Sequence, residues 1–295
     1  MHSPSAYDKL SPRSTNLDLV RKYNSTLFLW AGFFTFAFGI YYKFSDGDFS
    51  FLMTYAALAR TFGFALLLVR MFIKKHAKGV SRKTLELYVF VFLPRLVSIF
   101  RHEGYLPYDK SGDFIYHAAE GLSLVGALLC LVFMHTSFAR SYQRDYDTFG
   151  NIYIPARFGT LYMIVPCVVM AVLFHPTLNN DFISDTTWTL SMYMETCAIV
   201  PQLFMFQRSA VNKGVVEVLV SHSVFALGFA RVLDMVFWLY SYHELSDAAG
   251  SKSVGMLVLA TQFIHIAIMG DFFYYYFISI KTGQAMQLPV SASMV

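Results

Sequence analysis

Two ionisable side chains interrupt a long apolar stretch, and they define the first candidate site. In H-S-V-F-A-L-G-F-A-R-V-L-D-M-V-F-W, residues 222–238, the positions of Arg231, Asp234 and Trp238 are spaced i, i+3 and i+7 and share one face of a helix. An ion at bilayer depth is costly unless it has a partner or faces a cavity. The pattern therefore indicates either a ligand or ion pathway, which we favour, or an ion pair that only fixes helix packing.

The surroundings of Arg95 are similar to those of Arg231. The segment V-F-L-P-R-L-V-S-I-F aligns with L-G-F-A-R-V-L-D-M-V, which places arginine on arginine and Ser98 on Asp234. This alignment is a candidate internal repeat, and membrane proteins often place a site at the junction of two repeats. Two arginines that face one cavity would attract an anion, most specifically a carboxylate, because a guanidinium can donate two parallel hydrogen bonds to it.

Further polar side chains lie in other apolar segments. Trp188, Glu195 and Gln202 are each seven residues apart, so they align along one face of a helix. Asp185 directly precedes the same segment, and Glu120 lies within another one. A purely structural stripe is usually apolar or made of small residues, so this pattern favours a lined cavity.

The composition is that of a membrane protein with several spans. Of 295 residues, 56% are hydrophobic and only 14% are charged, compared with about 25% charged in soluble domains. The net charge of +4 is interpreted as a topology signal, so lipid is an expected partner and nucleic acid is not. Motifs of metalloproteases and serine hydrolases are absent, and neither an enzyme nor a cofactor is predicted. Cys130, Cys167 and Cys197 lie in apolar segments and are interpreted as core residues.

Eight apolar segments, each close to the ~20 residues that span a bilayer, must position these side chains. They are 26–42, 51–73, 84–100, 113–138, 158–174, 186–206, 215–242 and 255–280. The first is predicted to be an extra transmembrane helix, and the other seven form a core over residues 51–280. Residues 1–25 and 281–295 are predicted to be terminal tails.

Loop charge predicts the orientation of these segments. Loop 74–83 has five Lys and Arg residues and no acidic residue, whereas loop 175–185 has two acidic residues and no Lys or Arg. Basic and less basic loops alternate along the chain, so the positive-inside rule places both termini in the cytosol. With this topology Arg95, Arg231 and Asp234 lie in the luminal half, and the predicted cavity opens to the lumen.

Three motifs make the chain similar to the KDEL receptors, also called ER lumen protein retaining receptors. They are W-T-L-S-M-Y-M-E with I-V-P-Q-L-F-M (188–205), S-H-S-V-F-A-L-G-F-A-R (221–231) and G-D-F-F-Y-Y-Y (270–276). The resemblance runs from about Met53 to the C-terminus. It implies an all-α polytopic membrane protein in which two three-helix bundles are joined by a linking helix, as in SWEET transporters and PQ-loop proteins.

The resemblance also implies a function. Family members capture the C-terminal KDEL or HDEL signal of escaped luminal proteins at acidic Golgi pH and release it in the ER. Luminal proteins with such signals are the implied partners, vesicle-coat components are candidate cytosolic partners, and ER and Golgi membranes are the implied location. The candidate ligand-binding residues are Arg95 and Arg231 for the carboxylate, Asp185 for the basic end of the signal, and Trp188, Glu195, Asp234 and Trp238 around them.

Several positions depart from the pattern of the family. Met53 and Ser241 stand where the family uses arginines for the acidic side chains of the signal, and Ser98 replaces an aspartate that contacts it. Arg60 occupies the position of the histidine linked to pH sensing and cannot titrate between pH 5 and 8, so weak pH dependence is expected. The tail at 281–290 lacks the lysine cluster that the family presents to the vesicle coat. Further replacements are Leu96, Ala230 and Phe237 for polar or aromatic contacts, and Asp234 for a tyrosine.

Three functional classes fit these observations, and the extra helix makes the chain most similar to the eight-helix branch of the family. The first is a receptor that retrieves KDEL-like or HDEL-like signals, or a diverged receptor that sorts another luminal ligand. The second is a small-solute transporter with the SWEET and PQ-loop fold, and the third is a scaffold for trafficking partners. The arginines favour an anionic ligand over a neutral sugar, whereas the missing lysine cluster argues against ordinary retrieval cycling. Retrieval is the function that we predict.

Overall fold

The fold is described by a computed structural model that covers residues 16–45, 47, 49–102, 113–151, 155, 158–211, 214–248 and 250–288. The regular elements of this part are helical, and they are accompanied by one isolated antiparallel bridge between Val216 and Met286. The α-helices are α1 Asn16–Phe44, α2 Phe51–Lys74, α3 Arg82–Arg101, α4 Asp113–His135, α5 Leu161–Leu173, α6 Phe182–Cys197, α7 Val200–Val211, α8 Val218–Tyr240, α9 Tyr242–Ala248, α10 Lys252–Ile268 and α11 Gly270–Thr282.

The outer surface is apolar, and many polar side chains are buried. Phe28, Phe114 and Tyr42 are among the large hydrophobic side chains that are more than 70% exposed, while Arg60 and Glu120 are almost fully buried. Lipid solvates an apolar surface, so this reversal of the usual pattern fits a membrane protein. Within the described residues, helices α1, α2, α4 and α8 are long and apolar enough to cross a bilayer. The predicted all-α polytopic fold is therefore confirmed, and the count of eight spans stays a prediction.

Each of the eight predicted segments contains a helix or a pair of consecutive helices. Three segments differ from the prediction by an earlier start, a bend or an interruption. Helix α1 begins at Asn16, inside the predicted N-terminal tail. The segment predicted at 255–280 is the pair α10 and α11, which bend by 49° and together make a candidate fifth span. The segment predicted at 186–206 is interrupted between α6 and α7.

The interruption between α6 and α7 has a local cause. Pro201 has no N–H and cannot donate to the carbonyl of Cys197, where α6 ends, although proline is tolerated in the first turn of α7. The carbonyl of Glu195, in the last turn of α6, accepts a hydrogen bond from Nδ1 of His265 on α10, at 2.9 Å. Because of this break, Glu195 and Gln202 lie on two successive helices, and Trp188, Glu195 and Gln202 are all buried.

Side chains at the helix starts stabilise three of the core helices. Ser81, Asp181 and Ser251 precede α3, α6 and α10, and each side chain accepts a hydrogen bond from a backbone N–H of the first turn. Such caps satisfy N–H groups that have no partner within the helix.

The helices pack as two groups of three that face each other. Helix α4 lies against both α2 and α3, and α10 lies against both α6 and α8. Across the junction, α2 packs on α8 and α3 packs on α6, while α5 packs on α6 as the linking helix. Gly126 allows α4 to approach α2 closely, because a Cβ at this position would lie 2.9 Å from Cβ of Phe64. Arg95 on α3 and Arg231 on α8 thus lie on the second helix of each group, as expected for a repeat.

Helix α1 lies outside this core. The ring of Trp30 packs edge-on against Phe62 of α2 and Phe225 of α8, with centroid distances of 5.5 and 5.2 Å. Small side chains, Ala37 on α1 and Ala59 on α2, are fully buried in the same contact. Close approach at small residues is typical of helix packing in membranes.

Candidate functional site

Three arginines and three carboxylates meet at the junction of the two bundles. Each of the six residues is at most 8% exposed. Buried ions must be paired, because removing a charge from water costs several kcal/mol. The members of this charge cluster are Arg60 on α2, Arg95 on α3, Glu120 on α4, Glu195 on α6, and Arg231 and Asp234 on α8.

Arg60 is at the centre of the charge cluster. Its Nη2 donates to Oε1 of Glu120 at 2.6 Å, and its Nη1 donates to Oδ2 of Asp234 at 2.7 Å. Nη1 also lies 3.5 Å from Oε1 of Glu195. One guanidinium therefore joins α2 to α4, α6 and α8.

Glu195 is the anion that Arg95 and Arg231 hold between them. Its Oε2 accepts a short hydrogen bond from Nη2 of Arg95 and a second one, at 3.0 Å, from Nη1 of Arg231. Arg95 also donates from Nε to Oγ of Ser191 at 2.9 Å, and its Nη1 lies 3.3 Å from both oxygens of Glu120. The two arginines thus converge on one carboxylate, and that carboxylate belongs to the protein.

The sequence pairs Asp234 with Arg231, but the closer partner in the structure is Arg60. Oδ2 of Asp234 lies 2.7 Å from Nη1 of Arg60 and 3.5 Å from Nη1 of Arg231. The spacing of i and i+3 places Asp234 beside Arg231 on α8, whereas the guanidinium of Arg231 reaches across to Glu195. The ion pair of Asp234 with Arg60 of α2 is therefore shorter than its local ion pair with Arg231.

A small cavity, with about 40 Å³ of free volume, adjoins the charge cluster. Three members of the cluster, Arg60, Arg95 and Asp234, contribute to its wall, and the remaining lining is mostly aromatic or apolar. It lies toward the start of α2 and the end of α8, which is the side that the loop charges assign to the lumen. The lining residues are Met53, Arg60, Arg95, Tyr116, Trp188, Ser191, Met192, Asp234, Trp238, Val258 and Gln262.

A second cavity, with about 20 Å³ of free volume, lies between α1, α8 and α11. Thr26, His222 and Tyr276 contribute to its wall, and no Arg, Lys, Asp or Glu is among its described lining residues. His222 is engaged there through Nδ1, which lies 2.6 Å from the hydroxyl of Tyr276. The cavity beside the charge cluster is therefore the better candidate for an anionic ligand.

The structure brings most of the predicted site residues together, with Asp185 as the exception. Trp188 and Trp238 line the cavity, whereas Arg231 and Glu195 are buried members of the charge cluster. The carboxylate of Asp185 instead accepts hydrogen bonds from the backbone N–H groups of Leu178 and Asn179. A contact between Asp185 and a ligand would have to replace these bonds, so its role in binding stays a prediction.

Arg60 and Glu120 were not predicted as ligand-binding residues, although both belong to the charge cluster. The signal that identifies Arg95 and Arg231 also applies to them, because each is an ionisable residue inside a long apolar segment. Neutral lining residues such as Met53, Met192 and Gln262 carry no such signal. The position of Met192 and Gln262 in the cavity follows only from how α6 and α10 pack, whereas the family resemblance singles out Met53.

Gln202 lies away from the charge cluster, at the opposite end of the bundle. Its Oε1 accepts from the N–H of Ser81 at 2.8 Å, and its Nε2 donates to the carbonyl of Gly79 at 2.9 Å. Asp147 holds the same loop through Oγ of Ser81 at 2.9 Å. These contacts fix the start of α3, at the end of the bundle away from Trp188.

The described part of the chain gives little support for a metal site or for a site of reactive cysteines. No group of three or more His, Cys, Asp and Glu residues there is placed to hold a metal ion. Cys130 is buried, and Cys167 and Cys197 are half-buried free thiols with their sulfur atoms 3.9 Å apart. Of the three cysteines interpreted as core residues, only Cys130 is therefore fully buried.

Comparison with known proteins gives consistent matches. The sequence model of the family described as ER lumen protein retaining receptor matches residues 76–241. ER lumen protein-retaining receptor A of Arabidopsis thaliana is 32% identical over 225 residues, which cover 76% of this chain and 92% of that protein. The receptor of Petunia hybrida is 31% identical over 230 residues, with coverage of 76% and 92%, and that of Drosophila melanogaster is 26% identical over 233 residues, with coverage of 79% and 95%.

Proposed function

The chain belongs to the ER lumen protein retaining receptor family, and on that premise we propose that it binds the C-terminal KDEL-like or HDEL-like signal of luminal proteins and retrieves them from the Golgi to the ER. It is a receptor and not an enzyme. The observation that supports this function most directly is the guanidinium of Arg95, which lies beside the cavity and contacts carboxylates of the protein itself. A site that already holds carboxylates has the geometry to hold the carboxylate of a peptide.

The terminal carboxylate of the signal would enter by exchange with Glu120. Both contacts between Arg95 and Glu120 are 3.3 Å long, whereas Glu120 keeps a closer bond of 2.6 Å to Arg60. Glu120 can therefore release Arg95 without losing its main partner. Ser191 holds Nε of Arg95 and so orients the fork of two Nη groups.

The wall of the cavity would hold the side chains of the peptide. Trp188 and Trp238 present large apolar surfaces with polar edges, which suit a peptide end that carries both kinds of group. Tyr116 adds a third aromatic side chain to the wall.

Binding of short peptides tests this function. A library of C-terminal tetrapeptides, which includes Lys-Asp-Glu-Leu, is titrated into the purified full-length protein, each peptide as the free acid and as the C-terminal amide. We expect at least one free acid to bind and its amide to bind at least about tenfold more weakly, because the amide loses charge-assisted hydrogen bonds. If no free acid binds, or if acid and amide bind equally, the proposed function is wrong.

We propose that the receptor resides in ER and Golgi membranes with both termini in the cytosol, surrounded by lipid and accessible there to components of vesicle coats. The excess of Lys and Arg in loop 74–83 supports this orientation. A tag at either terminus should then be digested by protease added to sealed microsomes. Protection of one terminus would contradict eight spans and favour seven.

Ligand affinity should depend only weakly on pH. Arg60, at the centre of the charge cluster, stays charged at the pH of every compartment. Protonation of Glu195 is unfavourable, because it would leave three guanidiniums around a neutral acid. We expect affinity to change by less than about tenfold between pH 5.5 and 7.2, measured by titration with the best peptide of the library. An Arg60→His variant provides the contrast, because an imidazole titrates within this range. A larger change in the wild type would contradict this expectation, and its loss in a Glu120→Gln or Glu195→Gln variant would identify the carboxylate responsible.

A further inference from the structure

The charges of the cluster cancel, and this limits the ligands that the cavity can accept. Each of the guanidiniums of Arg60, Arg95 and Arg231 lies within 3.5 Å of a carboxylate of Glu120, Glu195 or Asp234. Three positive and three negative charges leave no surplus positive charge for a ligand. An acidic ligand must therefore displace a carboxylate of the protein or remain without a cation.

No further cation is available along the described wall of the cavity. Arg60 and Arg95 are the only Arg or Lys residues among the eleven that line it. The next cationic side chain on α3 is Arg101, whose Nη2 lies 2.8 Å from Oδ2 of Asp181, and His102 contacts the same oxygen at 3.1 Å. The hydrogen bond from Arg101 holds the pKa of Asp181 below its ordinary value.

The remaining wall is suited to uncharged side chains. Met53, Met192 and Val258 supply apolar surface. Gln262 supplies a polar group, and its Oε1 is buried without a hydrogen-bond partner. This oxygen can accept a hydrogen bond from an amide or hydroxyl of a ligand, whereas a carboxylate has no proton to donate to it. An acidic side chain against this wall would lose hydration without gaining a counter-ion, which is unfavourable.

We propose that this cavity selects C-terminal signals whose only anion is the terminal carboxylate, with neutral side chains where the KDEL and HDEL signals have their acidic pair. The inference rests on the proposed function and defines its ligand class. One anion can be accommodated, because Glu120 can release Arg95 and keep Arg60. A second exchange would have to displace Glu195 or Asp234, which bind their arginines at 3.0 Å or less.

A pair of matched peptides tests the inference. Lys-Asp-Glu-Leu and Lys-Asn-Gln-Leu differ in charge but hardly in shape, and each is titrated into the purified full-length protein at pH 7.2 and at low salt. We expect the neutral peptide to bind at least about fivefold more tightly, because an unpaired buried carboxylate is penalised. If Lys-Asp-Glu-Leu binds as tightly as the neutral peptide or more tightly, the inference is wrong and the proposed function stands. If no peptide with a free carboxylate binds, the proposed function itself fails.

The converse test adds a cation to the wall. Met53, which is 9% exposed, lines the cavity beside Arg60 and Trp238. Met53→Arg should shift the preference toward Lys-Asp-Glu-Leu by at least about fivefold relative to the wild type, since a charge-assisted bond becomes available. Met53→Gln is the matched control, which is of similar length but neutral and should leave the preference unchanged. An unchanged preference in a Met53→Arg protein that elutes as a single folded species would contradict the inference.

Discussion

Replacement of Arg60 with methionine should lower the free energy of unfolding by about 3–5 kcal/mol, because breaking a buried ion pair leaves charges without compensation. Arg60 bonds Glu120 at 2.6 Å and Asp234 at 2.7 Å, and it also approaches Glu195. Without it, two arginines would face three carboxylates in a nearly dry junction. Methionine keeps most of the side-chain volume, so the loss reports charge more than packing. Unfolding in detergent micelles, followed by circular dichroism or by thiol accessibility of Cys130, measures the effect.

An exposed arginine provides the control for this prediction. Arg101 also bonds a carboxylate, that of Asp181, but its side chain is 47% exposed. Arg101→Met should therefore cost less than about 1 kcal/mol, as is usual for surface ion pairs. A double variant, Arg60→Met with Glu120→Gln, restores the balance of charge and should be more stable than Arg60→Met alone. If Arg60→Met is no more destabilising than Arg101→Met, the charge cluster does not stabilise the junction.

Replacement of Arg95 with alanine should weaken binding of the best free-acid peptide by about tenfold to hundredfold, since charge-assisted bonds to a carboxylate contribute about 1.5–3 kcal/mol. Arg95 is the arginine whose Nη groups contact both Glu120 and Glu195 and whose residue lines the cavity. Arg95→Lys should restore only part of the affinity, because an ammonium cannot form the two parallel bonds of a guanidinium. Titration calorimetry in micelles measures both variants.

Arg82 offers a matched control for the loss of binding. It lies at the other end of α3 and pairs with Glu86 at 3.1 Å on a partly exposed surface. Arg82→Ala should leave the affinity unchanged. Equal affinity of the wild type and Arg95→Ala for the same peptide would mean that Arg95 is structural, and the carboxylate site would have to be placed elsewhere.

The break after α6 and the contacts of Asp185 illustrate what tertiary structure adds to a sequence pattern. A spacing of seven residues places Trp188, Glu195 and Gln202 on one helical face only while the helix continues. Pro201 interrupts it, and Gln202 then bonds the loop before α3. Asp185 shares a helix with Trp188 but turns to the backbone of residues 178 and 179, because nearby N–H groups compete with any ligand for a carboxylate.

The sequence by itself identified four of the six members of the charge cluster. Arg95, Glu195, Arg231 and Asp234 stand out because an ion in an apolar segment of bilayer length is rare and costly, and that rule needs no coordinates. The same apolar segments determined the all-α membrane fold, and three motifs indicated the family. Local periodicity therefore carried most of the information about element type and about the polar residues inside the elements.

Only the tertiary structure decided which charge meets which. Helical periodicity fixes the face on which a side chain lies, but its partner across a junction depends on how each helix is rotated and shifted against its neighbours. Asp234 thus lies closer to Arg60 than to Arg231. Glu195 occupies the place between Arg95 and Arg231 that the sequence assigns to a ligand. The neutrality of the charge cluster, and with it the inferred preference for a signal with a single anion, follows from these contacts between helices that are distant in sequence.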